Sequence, residues 1–119
     1  MACSLLLLAG IATAYAGPYV AGPLYCGGVY DVEAEPSESW IALPVDDPTW
    51  RCGDLVYVRF EDGSTLMARA MDAGPLGLYN VQGQRIIADI PAHLAPFALS
   101  GAIELYNFGE AARSCQVAR

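Results

Sequence analysis

Basic side chains are scarce in this sequence, which has 6 Lys and Arg residues against 13 Asp and Glu residues and a net charge of −7. A protein that binds nucleic acid phosphates needs clustered Lys and Arg, so this composition argues against a nucleic-acid partner. A neutral glycan, a cationic substrate or another protein is compatible with the acidic charge. With 119 residues and 55% hydrophobic content, the chain is long enough for one domain with an apolar core.

Several patterns of known sites are also missing. The sequence has a single histidine, His93, and no two cysteines in a Cys-x-x-Cys spacing, so it does not indicate a zinc site. A phosphate-binding loop, a dinucleotide fingerprint and a Ser-His-Asp arrangement are absent as well. We therefore expect neither a metal nor a cofactor.

Charge is missing from the start of the chain, since no charged side chain precedes Asp31 and an apolar run ends in Ala14-Tyr15-Ala16. Such a run is typical of a secretory signal peptide, although the basic residues that usually precede it are absent. Residues 1–16 are therefore either a signal peptide that is removed or an apolar arm that is retained. No stable membrane span is expected, because a span needs about 20 apolar residues and Gly17-Pro18 interrupts the run. Residues 17–119 are predicted to form one secreted, periplasmic or extracellular domain.

The clearest structural pattern is a β-hairpin in the middle of the chain. Residues 55–60 alternate as a half-buried strand does, Asp62-Gly63 provides a tight turn, and residues 65–71 continue as a second strand. The second strand runs into Asp72-Ala73-Gly74-Pro75. This places a carboxylate where a strand ends and the chain turns.

Four further strands and one helix are predicted on either side of the hairpin. Pro91 suits the first turn of a helix, so we predict a short helix over 92–99 and a tail over 109–119. The sequence thus predicts a mainly β domain of six strands and one short helix. The four other strands are predicted at 25–30, 40–44, 85–90 and 102–108.

Two motifs follow one another in the second half of the chain, Asp72-Ala73-Gly74-Pro75 and then Arg85-Ile86-Ile87-Ala88-Asp89-Ile90. Leu43-Pro44 and Cys52-Gly53-Asp54 precede them. This order resembles the double-psi β-barrel domain of the rare-lipoprotein-A and expansin-like group, whose motifs read Asp-Arg-Gly-Pro-Phe and then Arg-x-Ile-Asp-Leu-Ser. The similarity spans about residues 25–108.

The resemblance implies a small six-stranded double-psi β-barrel with one short helix. Cys26 and Cys52 stand where similar secreted barrels have cysteines, so it also implies a disulfide between them. A second disulfide between Cys3 and Cys115 follows only if the arm is retained. Cleavage after Ala16 would leave an odd number of cysteines.

The resemblance further implies site roles for Asp72 and Asp89. In that group the aspartate of the first motif, helped by a histidine, is associated with cleavage of peptidoglycan strands by lytic transglycosylases. A carboxylic acid with a raised pKa protonates the glycosidic oxygen in such reactions. Trp40 stands where the histidine is expected and Ala73 replaces the arginine, so the implied activity is weak at most.

Each candidate residue also has a structural alternative. Asp72 could equally cap the Gly74-Pro75 turn through a side-chain hydrogen bond. Asp89 could form a structural hydrogen bond or cap the helix that follows it. His93 could simply occupy an exposed position of that helix. For sugar stacking, the candidate rings are Trp40, Tyr57 and Tyr79. Such rings more often pack in the core or at its rim.

Two functions are compatible with these patterns. The first is a secreted or envelope-associated barrel that binds cell-wall glycan such as peptidoglycan, with weak lytic transglycosylase-like activity at most. The alternative is a non-catalytic structural subunit of a virion, a filament or an envelope assembly. There the barrel would be the scaffold, and the apolar arm and cysteines would join other copies or assembly proteins.

Overall fold

The computed structural model describes residues 6–15, 21–27, 29–31, 40–44, 49–74 and 79–117. These residues form eight strands and one helix. The elements are β1 (Leu6–Tyr15), β2 (Ala21–Pro23), β3 (Val29–Asp31), β4 (Trp40–Leu43), β5 (Leu55–Phe60), β6 (Thr65–Ala73), β7 (Ile86–Pro91), β8 (Ser100–Asn107) and α1 (Phe108–Val117).

Six of the strands close into a barrel in the order β1, β7, β4, β6, β5, β8, while β2 and β3 form a separate antiparallel pair. The prediction of a mainly β domain with six barrel strands and one short helix is therefore confirmed. Closure leaves each barrel strand with a neighbour on both sides, so the barrel has no free sheet edge.

The barrel combines two parallel and four antiparallel pairings. β1 runs parallel to β7, and β4 runs parallel to β6. The other pairs, β4 with β7, β5 with β6, β5 with β8 and β1 with β8, are antiparallel. The two halves of the chain repeat one pattern, because exchanging β1, β4 and β5 for β6, β7 and β8, respectively, leaves every pairing and its direction unchanged.

The interior is filled by apolar side chains that alternate along the strands. Ile41, Val56 and Leu105 are among its fully buried members, and each such side chain stabilises the fold by about 1.5–3 kcal/mol. The core also takes small residues, Ala68 and Ala70, from β6.

The predicted hairpin is confirmed, with β5 and β6 paired from Leu55 with Arg69 to Arg59 with Thr65. Its turn uses Gly63 at a φ of 88°, a conformation that favours glycine. The Asp62 carboxylate accepts a hydrogen bond from the Ser64 amide at 2.9 Å. The turn chemistry read from the sequence is therefore present.

The first barrel strand differs from the prediction. Tyr25 and Cys26 lie in a turn, and the strand expected at 25–30 is replaced by β3, which pairs with β2 outside the barrel. The sixth barrel strand is instead β1, within the run interpreted as a signal peptide or arm. A continuous apolar run suits a buried barrel strand. The length of the run alone does not distinguish such a strand from a secretory signal peptide.

The helix also lies elsewhere than predicted, because residues 92–99 form turns and bends. The amides of Leu94 and Ala95 both bond to the Pro91 carbonyl, which closes a single turn, and Pro96 has no amide to continue it. The segment predicted as a tail forms α1. No helix in the described segments is both long and apolar enough to cross a bilayer.

Candidate functional site

Asp72 and Asp89 lie in one row across three neighbouring strands. Ala42 of β4 pairs with Asp72 of β6 on one side and with Asp89 of β7 on the other. Residues in register project to the same face of a sheet, so the two aspartates flank Ala42 on a common face. The register thus brings the two aspartates that the sequence analysis singled out onto strands on either side of β4.

A β-bulge helps to bring Asp72 into this row. The register between β4 and β6 shifts after the pair of Ile41 with Ala70, so that Ala42 pairs with Asp72 and Met71 is the extra residue. Such bulges re-aim side chains next to functional sites.

Thr13 of β1 extends the row on the other side of β7. It pairs with Asp89, and its hydroxyl donates a 2.8 Å hydrogen bond to the Asp89 carboxylate. Sequence reasoning missed this residue, because the contact depends on the pairing of β1 with β7, which lie far apart in the sequence. The only local signal is a polar side chain inside an otherwise apolar run.

Asp72 is held by backbone donors. Its carboxylate accepts hydrogen bonds from the amide of Tyr25 at 2.9 Å and from the amide of Ala73 at 3.0 Å. The first of these bonds ties the turn after β2 to the end of β6. Asp72 therefore has a structural part as well as a place in the row.

The environments of the two carboxyl groups differ. Burial raises the pKa of Asp89, and the negative charge of Asp72 raises it further, whereas the hydrogen bond from Thr13 acts in the opposite direction. A carboxyl group with a raised pKa keeps its proton more readily at neutral pH, which is what a general acid requires. The row thus combines a partly buried carboxyl group, Asp89, with a carboxylate held by backbone amides, Asp72.

The raised pKa of Asp89 predicts how stability changes with pH. Because the pKa is higher in the folded chain, ionisation of Asp89 costs stability as the pH rises through the folded value. We expect Asp89→Asn to raise the Tm at pH 7 by about 1–3 °C, after allowance for solvent around this partly exposed group. The difference should vanish below the ordinary pKa of about 3.9.

Thermal unfolding followed by circular dichroism between pH 3 and pH 8 measures this effect. Glu61→Gln is the matched control, since Glu61 is exposed and lies in the β5–β6 turn. A variant Asp89→Asn that is less stable than the wild type at pH 7 would contradict the expectation.

Gly74 explains the glycine of the Asp-x-Gly-Pro motif. A Cβ atom at this position would lie 2.9 Å from the carbonyl carbon and oxygen of Ala42, so only glycine allows the chain to pass this close to β4. The Gly74 amide bonds to the Leu43 carbonyl at 2.7 Å. This close approach fixes the end of β6 beside the aspartate row.

The predicted disulfide between Cys26 and Cys52 is confirmed, with a Cα–Cα distance of 5.4 Å. It joins the turn after β2 to the segment that precedes β5. Cys115 is also disulfide-bonded. Its expected partner, Cys3, lies outside the described residues.

The three aromatic residues proposed for sugar stacking are placed differently. Trp40 is 7% exposed, whereas Tyr79 is 63% exposed and forms an isolated bridge with Arg85. Tyr57 packs edge-on against Tyr106 at 5.7 Å between ring centroids. Their role in ligand binding stays a prediction, and Tyr79 offers the most accessible ring of the three.

His93 is exposed in the turn that follows β7. Its exposure agrees with the structural alternative, although the turn replaces the helix that was predicted there. Within the described part of the chain, no three His, Cys, Asp or Glu side chains are grouped so that they could hold a metal ion.

A second polar centre, which the sequence analysis did not anticipate, surrounds Asp54. This carboxylate is 8% exposed and pairs with Arg113 of α1 at 2.6 Å and 3.0 Å. Although burial alone would raise the pKa of Asp54, hydrogen bonds from Arg113, Arg51 and Asn107 hold it below its ordinary value. The arrangement fixes α1 against the barrel and is structural.

A helix-start pattern near the end of the sequence could have indicated the polar centre around Asp54. Asn107 caps α1, since its side-chain oxygen accepts a 3.0 Å hydrogen bond from the Glu110 amide. An Asn followed three residues later by Glu is a helix-start pattern. No protein-family model and no curated protein sequence matches the chain.

Proposed function

We propose that this chain is a secreted or envelope-associated double-psi barrel that binds cell-wall glycan such as peptidoglycan and cleaves it weakly at most. The single observation that carries the proposal is the row in which Asp72 and Asp89 flank Ala42 on one face. Most glycoside hydrolases cleave the glycosidic bond with a pair of neighbouring carboxyl groups, one of which is a general acid with a raised pKa.

The strand pairing supports the double-psi part of the proposal. Two parallel pairs, β1 with β7 and β4 with β6, are related by the repeat between the two halves of the chain. The disulfides support a location outside the cytoplasm, where oxidising conditions preserve them.

In the proposed reaction Asp89 is the general acid. Its carboxyl proton passes to the glycosidic oxygen as the bond from that oxygen to the anomeric carbon breaks. The Asp72 carboxylate stabilises the positive charge that develops on the sugar ring. A hydroxyl of the same sugar then attacks the anomeric carbon and returns a proton to Asp89, which gives an anhydro-sugar end without consuming water.

Release of soluble anhydro-muropeptides from purified peptidoglycan tests the catalytic part. We expect Asp89→Asn to lower the release by about 100-fold or more, the usual effect of removing a general acid, and Asp72→Asn to lower it strongly as well. Glu61→Gln should match the wild type. Equal release by all four proteins, or release by none, would remove the catalytic part of the proposal.

Co-sedimentation with peptidoglycan tests the binding part separately. The wild type and both Asp→Asn variants should pellet with the polymer, because the substitutions keep the shape of the face. Failure of the wild type to pellet would contradict the glycan proposal. In that event the structural-subunit alternative predicts an oligomeric native mass or an intermolecular disulfide on non-reducing electrophoresis.

A further inference from the structure

A cavity of about 670 Å³ lies beside the β5–β6 turn, away from the aspartate row. Its walls include Arg59 and Glu61 at the end of β5, Arg85 immediately before β7, and Glu104 on β8. Along β7, Arg85 and Asp89 are separated by roughly 13 Å at the usual rise of a strand. The cavity is therefore a separate place on the barrel.

Small residues also line this cavity, namely Ala9 and Gly10 of β1 and Ala102 of β8. A Cβ atom on Gly10 would lie 2.8 Å from the Arg85 carbonyl oxygen, so the backbone of β1 approaches the wall closely only because this residue is glycine. The cavity is therefore lined by small residues as well as by charged ones.

Arg59 is the charged group that this cavity leaves available. It is exposed and directly opposite Glu104 in the register of β5 with β8, yet no ion pair to Arg59 is formed within the described residues. The Glu104 carboxylate instead accepts a 2.9 Å hydrogen bond from the Tyr106 hydroxyl. The Arg59 guanidinium therefore keeps its donors for a ligand.

The distribution of positive charge points to the class of ligand. Arg69 donates to the Gly53 carbonyl and Arg113 pairs with Asp54, so these two arginines have structural partners. Arg59 and Arg85 both line the cavity, together with Glu61 and Glu104. The Arg59 guanidinium favours an anionic group on the ligand, and a carboxylate matches the planar fork of arginine.

We propose that this cavity binds a small carboxylate ligand, with Arg59 as its principal contact and Arg85 as the second cation. Glu61 and Glu104 on the walls favour a ligand that also carries hydroxyl or amino donors, because a ligand without them would leave these carboxylates desolvated. An acidic sugar and the carboxyl end of a short peptide share this chemistry. The site does not depend on the aspartate row.

Titrations followed by amide NMR shifts test the site with three probes: trigalacturonate, N-acetyl-D-alanyl-D-alanine and the neutral sugar chitotriose. We expect at least one of the two acidic probes to shift the amides of β8 and of the turn at Gly63, and chitotriose to leave them unchanged. Arg59→Met should weaken that binding by about 10- to 100-fold, the value of one lost charge-assisted contact. The acidic probe that binds more tightly shows whether the carboxylate comes from an acidic sugar or from the carboxyl end of a peptide.

Arg51→Met is the matched control, because Arg51 is also exposed but lies before β5, outside the cavity. It removes the same charge and should bind the acidic probe as the wild type does. Asp72→Asn should also bind normally, which separates this site from the proposed glycan chemistry. Absence of shifts with both acidic probes, equal binding of chitotriose, or unchanged binding by Arg59→Met would each overturn the proposal.

Discussion

A chain that begins at Gly17 is expected to stay unfolded under conditions in which the full chain is native. The truncation removes β1, which pairs with β7 along one edge and with β8 along the other. It also removes the buried side chains of Ile11 and Ala12 from the barrel. The lost burial and two ladders of hydrogen bonds exceed the total stability of a typical domain, about 5–15 kcal/mol.

Near-UV circular dichroism and urea unfolding of residues 17–119 check this expectation. The control is a chain that begins at Ser4 with Cys115→Ser, since it lacks the cysteine pair at the two ends but keeps β1. This control should fold. A folded, cooperative protein from residues 17–119 would show that β1 is dispensable and would favour removal of the segment as a signal peptide.

Asp54→Ala is expected to destabilise the fold by about 3–5 kcal/mol. The substitution leaves the Arg113 guanidinium, which is 24% exposed, without its main anionic partner, and breaking a shielded ion pair by removing one member has a cost of this size. It also leaves the Arg51 amide and the Asn107 side chain without the acceptor that they share. Urea unfolding at pH 7 measures the change.

The pH dependence of this ion pair follows from the direction of the pKa shift. Because the pKa of Asp54 is lowered in the folded chain, its contribution is present above the ordinary value of about 3.9 and is lost as the pH falls through the lower folded value. A double-mutant cycle with Arg113→Met should therefore show strong coupling at pH 7 and little in strong acid. Glu61→Ala, an exposed acidic control, should change stability by about 0.5 kcal/mol or less. Additive effects of the two substitutions at pH 7 would contradict the pairing.

The parts of the fold that could be predicted are those whose signals are local. The Asp62-Gly63 turn and the alternating residues beside it identify the β5–β6 hairpin, because a tight reversal requires specific turn residues. The disulfide between Cys26 and Cys52 is predicted from the resemblance of short motifs and is present. The roles of Asp72 and Asp89, which the same resemblance implies, stay predictions.

The parts that could not be predicted depend on distant partners. The apolar run of β1 has the same local pattern as a secretory leader, and only its pairing with β7 and β8 identifies it as a barrel strand. The contact of Thr13 with Asp89 spans 76 positions in the sequence, so no window around either residue contains it. The predicted position of the helix is wrong because Pro91 also suits a helix start. The actual helix begins at a cap formed by Asn107 and Glu110, where the sequence pattern predicts the end of a strand and a tail.

The closure of the barrel by its first strand has a consequence for biosynthesis. β1 is made first, yet one of its two neighbours, β8, is complete only about ninety residues later, which takes roughly 5–20 s at ordinary rates of translation. Until β7 is made, the nascent apolar segment has no partner strand on either side. The segment that is exposed to solvent and cellular factors during synthesis is thus the same one that later completes the barrel wall.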